Sequence, residues 1–200
     1  MAVSHGATGK VATGFSYPWV GVYTASTAGV ISYSSQQELA RGVSVSIDVD
    51  EPQDNDFWAN NTMAESAPGR FGSGTLNLVV DGLHISAQRL IQGLPAAVSG
   101  WTSVGDSAAV PYCGLGYIVR YMSGNVESFT PTILPKIKFN PFVASAATED
   151  QGEIDWQTLT LTAKVFRADN DNHDWNWIGD DYSTEADALA ALKTKLGVSS

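Results

Sequence analysis

Cysteine occurs once in the 200 residues, at Cys113, so no intramolecular disulfide framework can hold this chain together. Flanked by Pro111, Gly114 and Gly116 at an expected strand start, Cys113 reads as a buried small apolar group and not as a reactive thiol. Positive charge is scarce: 11 Lys and Arg stand against 21 Asp and Glu, for a net charge of −10. Affinity for nucleic acid comes mainly from cations meeting phosphates, so a chain of this balance should not grip DNA or RNA. A wall that repels phosphate still suits a passage along which DNA slides. Charged residues of both signs make up only 16%, below the usual quarter or so, and Ser, Thr, Asn and Gly supply the polarity instead. That mix favours short strands and turns. No apolar run approaches the length of a membrane span. The opening Met1-Ala-Val-Ser-His-Gly6 has no apolar core, which makes a secretory leader unexpected and a cytoplasmic site of synthesis the expectation.

Catalytic signatures are missing too. There is no Gly-rich phosphate loop, no CxxC and no HExxH, and His5, His84 and His173 lie far apart in sequence. Gly105-Asp106-Ser107 has the look of a nucleophile segment, but Ser107 sits in a small-residue loop without the scaffold that a base and an orienting group need. Asp169, Asp171, His173 and Asp174 resemble the start of a calcium loop. Asp174 stands where the sharp turn needs glycine and Asp180 where the twelfth ligand is a glutamate, so a solvated acidic turn is the better reading. Trp175 and Trp177 in that loop either cradle a sugar or anchor the loop to the core, and anchoring is the commoner role. Asn60-Asn61-Thr62 fits a glycosylation sequon, which carries no weight without a secretory signal. The expectation is no catalytic residue, no cofactor and no metal.

What is present is β patterning. Residues 1–18 are rich in Gly, Ser, Thr and Ala and read as a flexible arm, leaving 19–200 as a single β-domain. Short strands are expected at Val20–Thr24 and Val30–Tyr33 around Gly29. The clearest strand runs from Val43 to Asp50, with Val43, Val45, Ile47 and Val49 on one face and Ser44, Ser46, Asp48 and Asp50 on the other. A long loop, about 51–74, follows. Phe57 and Trp58 in its middle point to docking on a partner. Thr75–Val80 resumes a strand, and His84–Gln92 with Gly93 behind it spells a short helix with a glycine stop. Gly116–Met122 is apolar on both faces, as in a strand covered by core on one side and by a neighbour on the other. The run Phe129–Phe139 alternates but carries Pro131 and Pro135, which place it at an edge or interrupt it with bulges. Ile154–Phe166 is a long strand whose apolar phase slips at Gln157-Thr158, a bulge signal. Ser183 or Thr184 caps a helix over 184–196, with Ala186, Leu189, Leu192 and Leu196 as its stripe and Gly197 as its end. The fold class is therefore mainly β: a sandwich or barrel of two packed sheets with a short flanking helix and a C-terminal helix.

From Gly114 onward the residues resemble the major tail proteins of long, non-contractile-tailed bacteriophages, closest to the phi13-type tail tube family. Gly116-Tyr-Ile-Val-Arg120 is similar to the strand that opens that family's second half, and Pro135-Lys-Ile-Lys-Phe139 to its Lys-x-x-Phe strand. Glu153-Ile-Asp-Trp-Gln-Thr158 resembles its acidic strand start, and Asp181-Tyr-Ser-Thr-Glu-Ala-Asp-Ala-Leu189 its terminal helix start. Phe57-Trp-Ala-Asn-Asn61 with Glu65-Ser66 looks like its aromatic segment, although Asn60 stands where an acid is common. The resemblance spans about residues 40 to 197, and order and spacing carry it more than any one motif.

The resemblance implies a tail-tube-like β-fold in a structural virion protein that is not an enzyme. Subunits would form homo-hexameric rings, and the rings would stack into a tube through which DNA passes during ejection. Tape-measure, tail terminator and baseplate or distal tail proteins would be its partners, and assembly would take place in the host cytoplasm. Asp54, Phe57, Trp58 and Asn60 would then touch the next ring, and Ser44, Ser46, Asp48 and Asp50 would face the lumen. Two alternatives stand beside this reading. One is a carbohydrate-binding β-domain of a phage fibre or baseplate, using Trp175 and Trp177. The other is the inner tube of a contractile injection system.

Overall fold

The computed structural model describes residues 9–50, 54–67, 69–106, 108–142, 146 and 156–198. Those residues form ten strands and two helices: β1 Val11–Ala25, β2 Ile31–Glu38, β3 Gly42–Val49, β4 Asn55–Ala59, β5 Thr62–Ala67, β6 Gly74–Val80, α1 Ile85–Gln92, β7 Cys113–Ser123, β8 Val126–Phe139, β9 Leu159–Val165, β10 Trp177–Ile178 and α2 Glu185–Lys195. The protein is mainly β. Seven strands make one antiparallel sheet in the order β2-β1-β7-β8-β9-β6-β3, and β10 adds to β8. Strands β4 and β5 form a separate hairpin.

The large sheet curls on itself. Its last strand, β3, comes back alongside the first half of β1, where the Phe15 ring fills the space beside Gly42. Leu39 N–H donates to the Pro18 carbonyl at 2.8 Å, which carries the β1–β2 ladder one step past Trp19 and Glu38 and leads the chain into β3. The enclosed core is built from alternate residues of each strand: Leu76, Leu78 and Val80 of β6, Leu161, Ala163 and Val165 of β9, Leu115 and Tyr117 of β7, and Leu134, Ile137 and Phe139 of β8. Helix α1 closes it with Ala87 and Ile91. Cys113 lies in this core, fully buried, and burial pushes its thiol up to about 12.

A second cluster lies on the outer face of β7 and β8. There Ile118, Phe129 and Ile133 pack under Ala188, Leu192 and Leu196 of α2. This explains the two-sided apolarity of β7: the cover on its outer face is the chain's own C-terminal helix. Thr184 is the N-cap and accepts from Asp187 N–H, Glu185 and Asp187 fill the first turn, and Lys193 and Lys195 fill the last. The buried stripe passes through Ala188, while Ala186, expected in it, is exposed.

Several sequence expectations change. Residues from Val11 on are not an arm. They are the start of β1, paired with β7 from Val11 opposite Met122 to Val22 opposite Cys113; residues 1–8 lie outside the described residues. The strand tolerates its small polar residues because a kink at Tyr17, with φ of 50°, and Pro18 splits it into two short runs. Strand β8 is interior, not an edge. Pro135 sits in a bulge, since Cys113 pairs with Ile137 and Leu115 with Leu134, leaving Pro135 and Lys136 opposite Gly114 alone. Pro131 turns its missing N–H towards β10, and its carbonyl accepts from Gly179 N–H at 2.8 Å. Strand β9 begins only at Leu159. Trp156 is 83% exposed, and Ile154 lies outside the described residues, as does Ser107.

Candidate functional site

The expected loop at 51–74 is largely a hairpin. Strands β4 and β5 are joined by Asn60 and Asn61, with φ of 52° and 62°, the left-handed pair that a two-residue hairpin turn of the I′ type requires. Ala59 pairs with Thr62 across the turn, and the Thr62 hydroxyl donates to the Ala59 carbonyl at 2.9 Å. Asparagine tolerates that backbone better than most residues, so Asn60-Asn61 was the signal for this hairpin. At the base, an Asp54 carboxylate oxygen accepts from Gly69 N–H at 2.9 Å, and Ser66 donates to Asp56 at 2.7 Å. Asp54 thus clamps the hairpin, Asn60 makes its tip, and Phe57 and Trp58 lie between them.

Both aromatic rings are in solvent: Phe57 and Trp58 are each 62% exposed, and Met63, the register partner of Trp58, is 55% exposed. Every residue of β5 is exposed. Three large apolar side chains on one projecting hairpin, outside both hydrophobic clusters, form an apolar surface of the kind that marks an interaction site.

The β3 residues expected to face a lumen lie together on the outer face of the large sheet. Ser44, Ser46, Asp48 and Asp50 are all exposed. In register with them on β6 stand Val79, Asn77 and Thr75, and beyond those on β9 stand Thr160, Thr162 and Lys164. Lys138 of β8 continues the last row. Asp48 accepts from the Asn77 amide at 3.2 Å, and Asp50 accepts from the Ser73 hydroxyl. Hydroxyls and amides therefore pave this face, with acids at the β3 side and lysines at the β8–β9 side. The opposite, apolar face of β3 is only half covered: Val45 and Ile47 pack on the core, while Val43 and Val49 are 52% and 43% exposed.

The acidic tryptophan loop is spent on structure. Trp175 stacks on Phe71 with ring centres 4.5 Å apart and planes 8° from parallel. The Trp177 indole N–H donates to Asp174 at 2.9 Å, and the Lys195 ammonium stands over its ring at 4.5 Å. Asp169 is taken by Lys136 at 2.7 Å and by the Tyr23 hydroxyl at 3.0 Å. The Lys136 hydrogen bond is the main cause holding the Asp169 carboxyl below its ordinary value. The four residues that resembled a calcium loop are thus tied to protein partners at two of their carboxylates. Among the described residues no group of three or more His, Cys, Asp and Glu side chains is placed to hold a metal ion. Nor is any helix among them long and apolar enough to cross a membrane.

No protein-family model matches the chain, and no curated protein matches its sequence.

Proposed function

We propose that this chain is a structural subunit that assembles with copies of itself into rings, and that the rings stack into the tail tube of a long-tailed phage particle. The observation that carries the reading is the β4–β5 hairpin. Its clamped base and I′ turn hold Phe57, Trp58 and Met63 in solvent, where they have no use within one subunit. On this reading the hairpin docks on the next ring, and the face of Ser44, Ser46, Asp48 and Asp50 lines the passage for DNA. The role is architectural and not catalytic, and the residence is the virion. The lysines at the far side of that face mean that repulsion of phosphate would come from the β3 rows and not from the whole surface. The carbohydrate-binding alternative loses its aromatic platform, because Trp175 and Trp177 are stacked and hydrogen-bonded inside the subunit.

Electron microscopy of the purified, concentrated protein tests the reading. Hollow rings or tubes of uniform diameter are expected. A protein that stays monomeric at every concentration, alone and with tail-initiation partners, overturns it.

A further inference from the structure

Lys138 and Lys164 are direct register partners on β8 and β9, on the outer face of the sheet. Like charges placed opposite each other in an antiparallel pair repel. In a chain with only 11 cations and 21 acids, such a pairing should be easy to neutralise, yet no carboxylate is within ion-pair distance of either ammonium among the described residues. Their neighbour Lys136 shows the contrast, since Asp169 holds it at 2.7 Å. Among the described residues the two lysines have only aromatic partners. Lys138 stands 5.4 Å from the centre of the Tyr112 ring, and Lys164 stands 5.7 Å from that of Phe166. Those rings meet edge to face at 5.5 Å, so they act as one platform that holds the ammoniums in place. Cation–π contacts at exposed positions are weak compensation for two adjacent charges. Beside the pair opens a cavity of about 530 Å³, bounded by residues 108–110 on one side and by Lys138, Asn140, Lys164 and Phe166 on the other. The Asn140 amide donates to Thr162 at 2.9 Å and so fixes the rim.

We propose that Lys138 and Lys164 form a phosphate-binding site, in which the two ammoniums share the oxygens of one phosphate group seated at the mouth of this cavity. Phosphate fits the pair because lysine acts as a point charge, two of them match a doubly charged or bridging anion, and each contact is a charge-assisted hydrogen bond. The group comes either from a free phosphate or phosphomonoester, or from the phosphodiester of a nucleic acid strand. The site belongs to a single subunit and does not depend on assembly.

The test is a titration of the isolated full chain, followed by amide NMR at ionic strength held constant with chloride. One arm uses inorganic phosphate and the other a short single-stranded oligothymidylate. Saturable shifts confined to residues 108–110, 138–140 and 164–166 are expected in at least one arm. In K138Q/K164Q the affinity should fall at least about tenfold, while K138R/K164R, which keeps both charges, retains binding. Tighter binding of the oligonucleotide assigns the phosphodiester source, and equal or tighter binding of inorganic phosphate assigns the free one. No saturation with either probe overturns the proposal. So does the same affinity in K138Q/K164Q, with an unchanged spectrum elsewhere showing that the fold is intact.

Discussion

Phe15 lies where a side chain at Gly42 would have to be: a β-carbon on Gly42 would fall 2.0 Å from the Phe15 ring. This contact closes the seam between β1 and β3, and the same ring meets Tyr117 edge to face at 5.5 Å inside the core. Gly42→Ala should therefore destabilise the protein by about 1–3 kcal/mol, the usual cost of overpacking. Phe15→Leu made alongside it should recover part of that loss, because the two residues share one space. Urea midpoints for the two single variants and the double variant measure it, and additive losses would show that the seam is not the cause.

Substitution at Trp58 separates folding from the proposed assembly. Its ring is in solvent, so Trp58→Ala should change monomer stability by less than about 0.5 kcal/mol. If the hairpin docks on a neighbouring ring, the same change should cost on the order of 2 kcal/mol per contact, and tubes should shorten or vanish. Thermal melting and electron microscopy of the same preparation read the two effects. Tubes as long as those of the unaltered protein would remove the hairpin from the interface.

Substituting Lys at Asp48 and Asp50 reverses the charge of the β3 rows. Both carboxylates are exposed and accept one side-chain hydrogen bond each, so the fold should survive. If this face lines the passage of a tail tube, tubes should still form, but particles carrying them should eject DNA poorly. Normal infectivity would show that this face does not line the passage.

Trp175 and Phe71 join the 169–178 loop to the core by a stacked pair. Trp175→Ala should cost about 2 kcal/mol, less than truncation of a fully buried tryptophan, because the ring is only partly buried. No sugar should bind through this ring in the unaltered protein, which a glycan array can check directly.

Acid should loosen one corner of the fold. The Lys136 hydrogen bond holds the Asp169 carboxyl below its ordinary value in the folded protein. A depressed carboxylate contributes stability that is complete above its unfolded pKa and is lost as pH falls through the folded one. The loss should therefore begin at about pH 4 and continue below it. Lys136→Met should flatten that limb of the stability curve. The effect is modest because Asp169 is half exposed and water screens the pair.

Much of this fold was legible in the sequence where one face of an element is buried. The alternation in Thr75–Val80 and in the second half of Ile154–Phe166 locates β6 and β9, and both helix stops, Gly93 and Gly197, take the left-handed backbone expected of them. Strand β1 was not legible in its first half, because Thr13, Gly14 and Ser16 belong to a run held by backbone pairing with β7 and not by burial of each side chain. The β4–β5 hairpin was hidden for a related reason. Every residue of β5 is exposed, so the hairpin has no hydrophobic period, and its mark is the turn at Asn60-Asn61. The polar face was half legible: the hydroxyls and acids of β3 stand in one short run, but the lysines that share the surface come from strands distant in sequence and meet them only through register.

The pairing of β1 with β7 also sets a clock on the ribosome. Strand β1 leaves the exit tunnel with β2 close behind, and the hairpin between them can form at once. Its other edge must wait for β7, roughly a hundred residues later, or about 5–20 s at ordinary rates of translation. Through that interval the newborn chain carries a half-paired strand with Phe15, Trp19 and Val20 uncovered. A cell that translates quickly, or a chaperone that holds the nascent hairpin, would shorten or shield that interval.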